Sequence, residues 1–421
     1  MLPNGEWTDL ITDFMGYSES STSPEIFRLW SAISLIAGAM ERRIFVQTSR
    51  GVLYPNLYVL LIAGPGVGKK IIETVRWFWT SAMEPGGRVP AFKVAPDSMT
   101  KASLIDNLKG ATKVHLPPTG APITYHSLLC PAEEFSVLLP AYDAEYIATL
   151  NGIWNNKDHH TETRRYGTHQ LVDIENPTLN LLGGYQPAML GTKFPEDAWA
   201  SGLVRRTIMI HSVKGEYKPL GMANPLQAPL RDRILFKLSS ISQMYGECTR
   251  DGEKYADGCE APSFQTIQAW DKSGFPDGGE PIPSHSKLQY YNKSRVEFVL
   301  KLAITSAISR TGMLNITTLD IRRAIYWLTE AEKRMPDIFR EMVGKSDAQV
   351  LEELQRYLLS EWSRRKRQPV EEQMLYKFLI GRVPHEKAKS LLETADRAGI
   401  VSRIANTQTY IPVPRQEHGV E

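Results

Sequence analysis

An apolar run that ends in three closely spaced glycines and a lysine, and then turns amphipathic, leaves few architectures open to this chain. Leu57, Tyr58, Val59, Leu60, Leu61, Ile62 and Ala63 lead into Gly64, Pro65, Gly66, Val67, Gly68, Lys69 and Lys70, and a helical pattern follows as far as Trp79. A continuous apolar run bounded by glycine reads as a buried strand, so the order is strand, glycine turn, helix. Such a turn lets consecutive backbone N–H groups curl into an anion-binding nest, and the next helix aims its positive end at the same point. Lys69 stands where a phosphate-loop lysine reaches the β- and γ-phosphates. Two positions depart from GxxxxGK[ST]: Ala63 replaces the first glycine, and Lys70 replaces the hydroxyl residue that holds Mg²⁺. The alternative is a plain glycine turn between strand and helix. The favoured reading is a nucleotide site, with ATP and Mg²⁺ as its expected cofactors.

At 421 residues the chain has room for two or three domains, each with its own core. Lys and Arg number 49 against 47 Asp and Glu, a formal charge of +2, so any surface for nucleic acid has to be local. Cys130, Cys248 and Cys259 are an odd set at no metal-ligand spacing, which fits a reduced, cytoplasmic setting. No signal peptide is read in Met1–Trp7, and apolar stretches are short or cut by Arg and Lys, as in 296–308, so no membrane span is expected.

Along the chain, residues 22–40 read as a helix, with Ser23 as its cap and Pro24 in its first turn. Strands are expected at 43–47, 57–63, 90–95, 123–130, 178–183 and 204–211, with helices at 69–83, 100–109, 144–154 and 194–200. That alternation argues for an α/β sheet with the glycine loop at a strand's carboxyl end. After about residue 228 the strands stop, and helices are expected at 229–245, 286–310 and 317–343 around a loop-like insertion at 246–285. Residues 346–415 give two helical segments, a basic run, a third helix and two short strands around Asn406 and Thr407, the order of a winged-helix module. The expected division is an N-terminal helical segment (1–50), a nucleotide-binding core (51–227), a helical lid (228–345) and a C-terminal module (346–421).

Several side chains fit chemistry around bound phosphate. An apolar strand ends in Glu133 and Glu134; either Glu133 holds the metal and Glu134 is the base, or Glu133 acts alone behind Ala132. The plainer reading is that the pair caps a helix at 135–139. The strand from Thr178 ends at Gln186, a candidate sensor of the γ-phosphate with Asn180 behind it; ordinary strand-end hydrogen bonding is the other reading for both. Arg205 and Arg206 open another buried strand, where a guanidinium can reach a neighbouring subunit's phosphate or pair with Glu196 and Asp197. Arg164 and Arg165 lie in a polar, basic hairpin suited to tracking a phosphate backbone, or merely solvated; His159 and His160 beside Asp158 lack a third ligand for metal. In the C-terminal module Arg364, Arg365, Lys366 and Arg367 precede its second helix, and Lys387 and Lys389 lie on its third. Such residues usually meet DNA phosphates, the alternative being a solvated basic loop on a packing domain.

Tyr54-Pro55-Asn56-Leu57-Tyr58, Ala95 to Thr100, Glu133 to Leu138, Asn176 to Gly184, Gly202 to Arg206 and Ile316 to Ala324 occur in order across about three quarters of the chain. As an ordered set they resemble a family of P-loop ATPases from phages and other mobile elements, related to AAA+ and helicase-type (RecA-like) ATPases. The resemblance implies an ATPase core followed by a helical lid, working as a hexamer-like ring in DNA replication alongside other replication proteins. It gives Lys69 and Glu133/Glu134 the nucleotide and metal roles, and favours Arg206 over Arg205 as the arginine finger. The expected activity is that of a replicative DNA helicase acting on single-stranded DNA in the host cytoplasm. The competing class is an ATP-gated loader or initiator that binds nucleotide with slow or no hydrolysis, which Lys70 favours, and a third reading is a DNA-binding protein with a relic loop.

Overall fold

Every residue of Tyr58–Ile62 is buried, as a strand must be when a parallel sheet is covered on both faces. The computed structural model describes residues 7–49, 51–117, 120–138, 143–166, 168–193, 199, 202–219, 224–250, 262–274, 283, 285–380, 385–405 and 407–413. The chain forms two units, 1–338 and 339–421. It runs α1 (Leu10–Tyr17), α2 (Glu25–Met40), β1 (Ile44–Thr48), β2 (Gly51–Leu53), β3 (Tyr58–Ile62), α3 (Ile71–Ser81), α4 (Lys101–Gly110), β4 (Thr112–His115) and β5 (Ile123–Ala132). Then come α5 (Phe135–Leu138), α6 (Ala144–Trp154), β6 (His159–Tyr166), β7 (Thr168–Glu175), β8 (Pro177–Tyr185), α7 (Pro187–Lys193), β9 (Thr207–His211) and α8 (Gln227–Ile241). The remainder is β10 (Gly246–Glu247), β11 (Thr249–Arg250), α9 (Pro262–Gly274), α10 (Arg295–Thr311), β12 (Asn315–Ile316), α11 (Thr318–Glu332) and α12 (Met335–Arg364). The chain closes with β13 (Val370–Glu371), α13 (Glu372–Ile380), α14 (His385–Arg397), β14 (Val401–Arg403) and β15 (Thr409–Pro412).

The fold is α/β with mixed sheets. The central sheet has the order β4-β5-β8-β3-β9. Strands β5, β8, β3 and β9 are parallel, and β4 is antiparallel to β5. Strand β8 therefore stands between the strand before the glycine loop and the strand before the acidic pair, so all three carboxyl ends share one edge of the sheet. Helix α2 is apolar nearly all round and is buried accordingly, against the sheet and α3. Helix α3 buries Ile71, Ile72, Val75, Phe78 and Trp79 on one face, and the Trp79 indole donates to the Leu35 carbonyl at 3.0 Å.

The N-terminal segment is tied along its length to distant parts of the larger unit. Trp7 Nε1 donates to the Ser309 carbonyl at 3.0 Å, Arg323 pairs with Asp9 at 2.6 Å, and the Glu216 N–H donates to the Thr22 carbonyl at 2.8 Å. The Ser23 hydroxyl donates to the Gly68 carbonyl. Ser23 is thus not the helix cap expected of it: Pro24 occupies that position without a side-chain hydrogen bond.

Other local expectations are also corrected. Residues 90–95 form no strand; they contribute isolated bridges, Met83 with Pro90 and Val94 with Leu129, because Pro90 and Pro96 carry no N–H to extend a ladder. Strands do not stop at 228: β10 and β11 pair with β1 and β12, and the insertion contains α9. The helix expected at 286–310 begins as two 3₁₀ turns before α10. The one expected at 317–343 is two helices, the second starting with Pro336 in its first turn, where a missing N–H costs nothing. The helix expected at 194–200 lies outside the described residues save Trp199. The smaller unit carries α13, α14 and an antiparallel sheet ordered β13-β15-β14. Leu358, Leu375, Leu392, Val401 and Tyr410 lie in its core.

Among the described residues no helix is long and apolar enough to cross a membrane. Cys130 and Cys248 are buried free thiols, and Cys259 lies outside the described residues.

Candidate functional site

After Ile62 the chain turns through 63–70 before α3. Gly66 and Gly68 have φ of 76° and 81°, the left-handed region open to glycine at no steric cost. Gly68 is also fixed by proximity, since a Cβ there would lie 2.5 Å from Ser23 Cα. Among the described residues the N–H groups of Gly66, Val67, Gly68 and Lys69 donate no hydrogen bond within the chain. Four adjacent donors are therefore open at the start of a helix that has no side-chain cap. Pro65, Gly66 and Lys70 are exposed, whereas Lys69 is buried and its ammonium turns back to the carbonyls of Ala63 at 3.0 Å and Gly64 at 3.3 Å.

The acidic pair follows β5, with Glu133 exposed and Glu134 half-buried. The Glu134 carbonyl accepts from the Val137 N–H at 2.9 Å, so the backbone of the pair opens α5 as the plainer reading expected. Burial lowers the pKa of Lys69, and Glu134 and then Glu133 pull it back up, so the lysine lies in the field of both. Burial also pushes the Tyr185 hydroxyl up to about 12, with Glu134 adding to it. Gly184 on β8 marks where the three chain ends meet: a Cβ there would lie 2.1 Å from the Glu133 carbonyl oxygen and 3.2 Å from Lys69 Cδ. Arg76 on α3 braces this edge, donating to the carbonyls of Ala95 and Pro131 and pairing with Asp97 at 2.5 Å.

Gln186 follows β8 at the same edge, half-buried, and its carbonyl accepts from Met189 and Leu190 to begin α7. Asn180 is structural: its side-chain oxygen accepts from the Leu57 N–H at 2.9 Å, deep in the sheet. Arg206 is held inside its own unit. Its guanidinium donates to Asn155 Oδ1 at 2.9 Å and the Gly202 carbonyl at 3.0 Å, and lies 5.4 Å from the Trp154 ring. Burial lowers its pKa and Arg205 lowers it further. In this chain alone Arg206 is thus not presented to a neighbour.

The hairpin β6–β7 pairs over its full length, with Arg164 opposite Gln170 and Arg165 opposite His169 near the turn; the side chains of 164–170 lie outside the described set. His159 faces Asp173 at 3.0 Å, and among the described residues no group of three potential ligands could hold a metal. In the smaller unit Arg364 and Arg365 pair with Glu361, at 2.7 and 3.8 Å. Lys366 and Arg367 then adopt positive φ, 54° and 68°, as the Arg367 N–H closes the helix end onto the Trp362 carbonyl at 2.8 Å. Lys389 is exposed on α14; the side chain of Lys387 on the same helix lies outside the described set.

Sequence reasoning missed the cluster behind Arg206. Lys301, in the apolar helix α10, is buried; its ammonium donates to the Asn56 carbonyl at 2.9 Å and lies 3.9 Å over the Trp154 ring. A lone lysine between apolar neighbours in a helix was the available signal, but nothing local names its partner 245 residues away. No protein-family model and no curated protein matches this chain.

Proposed function

We propose that this chain is a P-loop ATPase of AAA+/RecA-like type that works as an ATP-dependent DNA motor, a ring-forming replicative helicase of a phage or mobile element. The observation that carries the reading is the meeting, at Gly184, of the glycine loop's lysine and the acidic pair, beside four open backbone donors. Those N–H groups and Lys69 suit a triphosphate. The exposed Glu133 suits a hard, oxygen-seeking cation such as Mg²⁺, which prefers carboxylates and retained waters; when bound, that ion neutralises charge on the phosphates. Glu134, the stronger of the pair in its effect on Lys69, suits the base that takes a proton from water, and Gln186 suits a sensor of the terminal phosphate. Arg206 as a finger needs release from Asn155 on ring assembly. The smaller unit, read as a winged helix, and the β6–β7 hairpin supply the DNA contacts.

One observation favours a second reading, an ATP-gated loader or switch: Lys70 is exposed where a metal-binding hydroxyl would stand. Phosphate release from ATP, with and without single-stranded DNA, separates the two. The motor requires hydrolysis stimulated by DNA, abolished in Lys69→Ala and lost in folded Glu134→Gln. A chain that ATP stabilises against heat but does not turn over is a switch. A chain whose melting temperature ATP does not move binds no nucleotide, and both readings then fall.

A further inference from the structure

A cavity of about 530 Å³ lies between residues 17–23 and the outer face of α3, and its size is that of a small-molecule site. It starts where the glycine loop ends: Lys70, which precedes α3, and Ser23, whose hydroxyl donates to the Gly68 carbonyl, both line it. Its N-terminal wall is fixed in place. The Ser21 hydroxyl donates to Ser23 Oγ at 3.0 Å and accepts from the Ser23 N–H at 3.1 Å, and the Thr22 carbonyl accepts from the Glu216 N–H at 2.8 Å. At the far end two aromatic side chains line the cavity, Tyr17, half-buried at the end of α1, and Trp77, 41 % exposed on α3. Each ring meets the buried Phe78 edge-on with centroids 5.0 Å apart, and among the described residues the two make no contact with each other. They are therefore two separate aromatic faces held by one buried ring.

Both walls carry the same gradient away from the loop. Along α3 it runs from Lys70 through Thr74 to Trp77, and along the facing segment from Ser23 through Thr22 and Ser20 to Tyr17. Trp77 is about 10 Å beyond Lys70 along the helix axis, and helical side chains lean towards the N-terminus, which brings the indole back over the turn before it. Among the described residues Lys70 forms no ion pair, whereas Glu73 is paired with Arg76 at 3.7 Å. The hydroxyls of Ser20, Thr22 and Thr74 have no hydrogen-bond partner among those residues either. Open backbone donors, an unpaired ammonium, hydroxyls and then aromatic faces thus follow one another in a line. Phosphate, sugar and base follow one another in that order in a nucleotide, and aromatic side chains are the usual partners of a base's flat face.

We infer that this cavity takes the nucleoside half of the nucleotide whose phosphates the glycine loop holds. The base stacks on Tyr17 and Trp77, the sugar hydroxyls meet those of Ser20, Thr22 and Thr74, and Lys70 serves the phosphate next to the sugar. The inference rests on the nucleotide reading of the glycine loop and adds the N-terminal segment to the site. The test is calorimetric titration of the full chain, in one magnesium buffer, with ATP and separately with tripolyphosphate, which carries the phosphates without the nucleoside. ATP is expected to bind at least about fivefold more tightly than tripolyphosphate. Trp77→Leu and Tyr17→Leu should each weaken ATP by at least about fivefold and leave tripolyphosphate unchanged. Trp77→Phe should recover most of the loss, and Lys69→Ala should weaken both ligands. Trp77 is exposed and leucine is a strong helix former, so Trp77→Leu keeps the fold, and a thermal melt of each variant confirms it. Equal binding of ATP and tripolyphosphate overturns the inference and leaves the phosphate site standing. An ATP preference that either folded leucine variant leaves intact puts the base elsewhere and overturns it as well. Binding of neither ligand takes down the nucleotide reading, and this inference with it.

Discussion

Adding one methyl group at Gly184 tests whether the edge of the sheet is built as described. The new Cβ would lie 2.1 Å from the Glu133 carbonyl oxygen, against the roughly 3.3 Å at which a carbon and a carbonyl oxygen rest. Relief requires the end of β5 to retreat by about 1 Å, because the obstructing atom is backbone and has no rotamer to change. Lys69 Cδ, at 3.2 Å, is displaced with it. Overpacking of this kind costs about 1–3 kcal/mol of stability. A shift of about 1 Å between groups that must act together costs on the order of 100-fold in rate. Gly184→Ala is therefore expected to stay folded and lose modestly in a urea melt and, if the chain is the proposed DNA-stimulated ATPase, to lose nearly all phosphate release. Gly86→Ala is the control: its φ of 102° strains any side chain, but no atom lies within 4 Å of the added Cβ, so it should lower stability and leave turnover alone. Wild-type turnover and stability in Gly184→Ala would refute the convergence of the three chain ends.

Three further outcomes follow from other parts of the fold. Arg295 and Glu332 are a buried pair at 2.8 Å, so Arg295→Met should cost about 3–5 kcal/mol near neutral pH. Burial already raises the Glu332 pKa, and without Arg295 it rises further; the native state then holds the extra proton, stability falls as pH rises above the ordinary carboxylate range, and the deficit should shrink in melts near about pH 4. A deficit independent of pH would contradict the pairing. Burial lowers the Lys301 pKa from 10.5 to about 7; between those values the unfolded chain binds more protons, so stability rises with pH there, a difference that Lys301→Met removes. Melts of parent and variant at pH about 7 and 9.5 read it, and parallel curves would refute it. Arg367 is held at φ 68°, so Arg367→Gly should stabilise the smaller unit by about 0.5–1 kcal/mol. If the basic turn meets DNA phosphate, the same change should lower the salt dependence of binding by about one charge; unchanged salt dependence removes Arg367 from the interface.

The parts legible in the sequence are those whose cause is local. Strand β3 and helix α3 follow from an uninterrupted apolar run, a glycine turn and a helical apolar stripe, and α6 falls where its periodicity places it. Glu133 and Glu134 at the end of β5 are legible for the same reason. What could not be read depends on partners far along the chain. Ser23 has every local mark of a helix cap, yet its hydroxyl goes to Gly68 because the loop lies within reach. Residues 90–95 have a strand's apolar content but are bounded by Pro90 and Pro96, neither of which can extend a ladder. The partners of Arg206 and Lys301 lie 51 and 245 residues away, at Asn155 and Asn56, and no periodicity encodes them. Gly184 looks like any strand glycine until the neighbours of its absent side chain are seen.

The strap formed by the N-terminal segment also bears on the order in which the protein matures. Residues 7–23 leave the ribosome long before two of their anchors, Ser309 and Arg323, which lie 302 and 314 residues beyond Trp7 and Asp9. Contacts of such separation close late, since the whole intervening chain must first be confined. The central sheet, complete at His211, can form during synthesis, and so can the contact of Ser23 with Gly68, 45 residues on; the Trp7 and Asp9 anchors wait for α10 and α11. The glycine loop can therefore be set while the larger unit is still being made, whereas the strap closes only when that unit is whole.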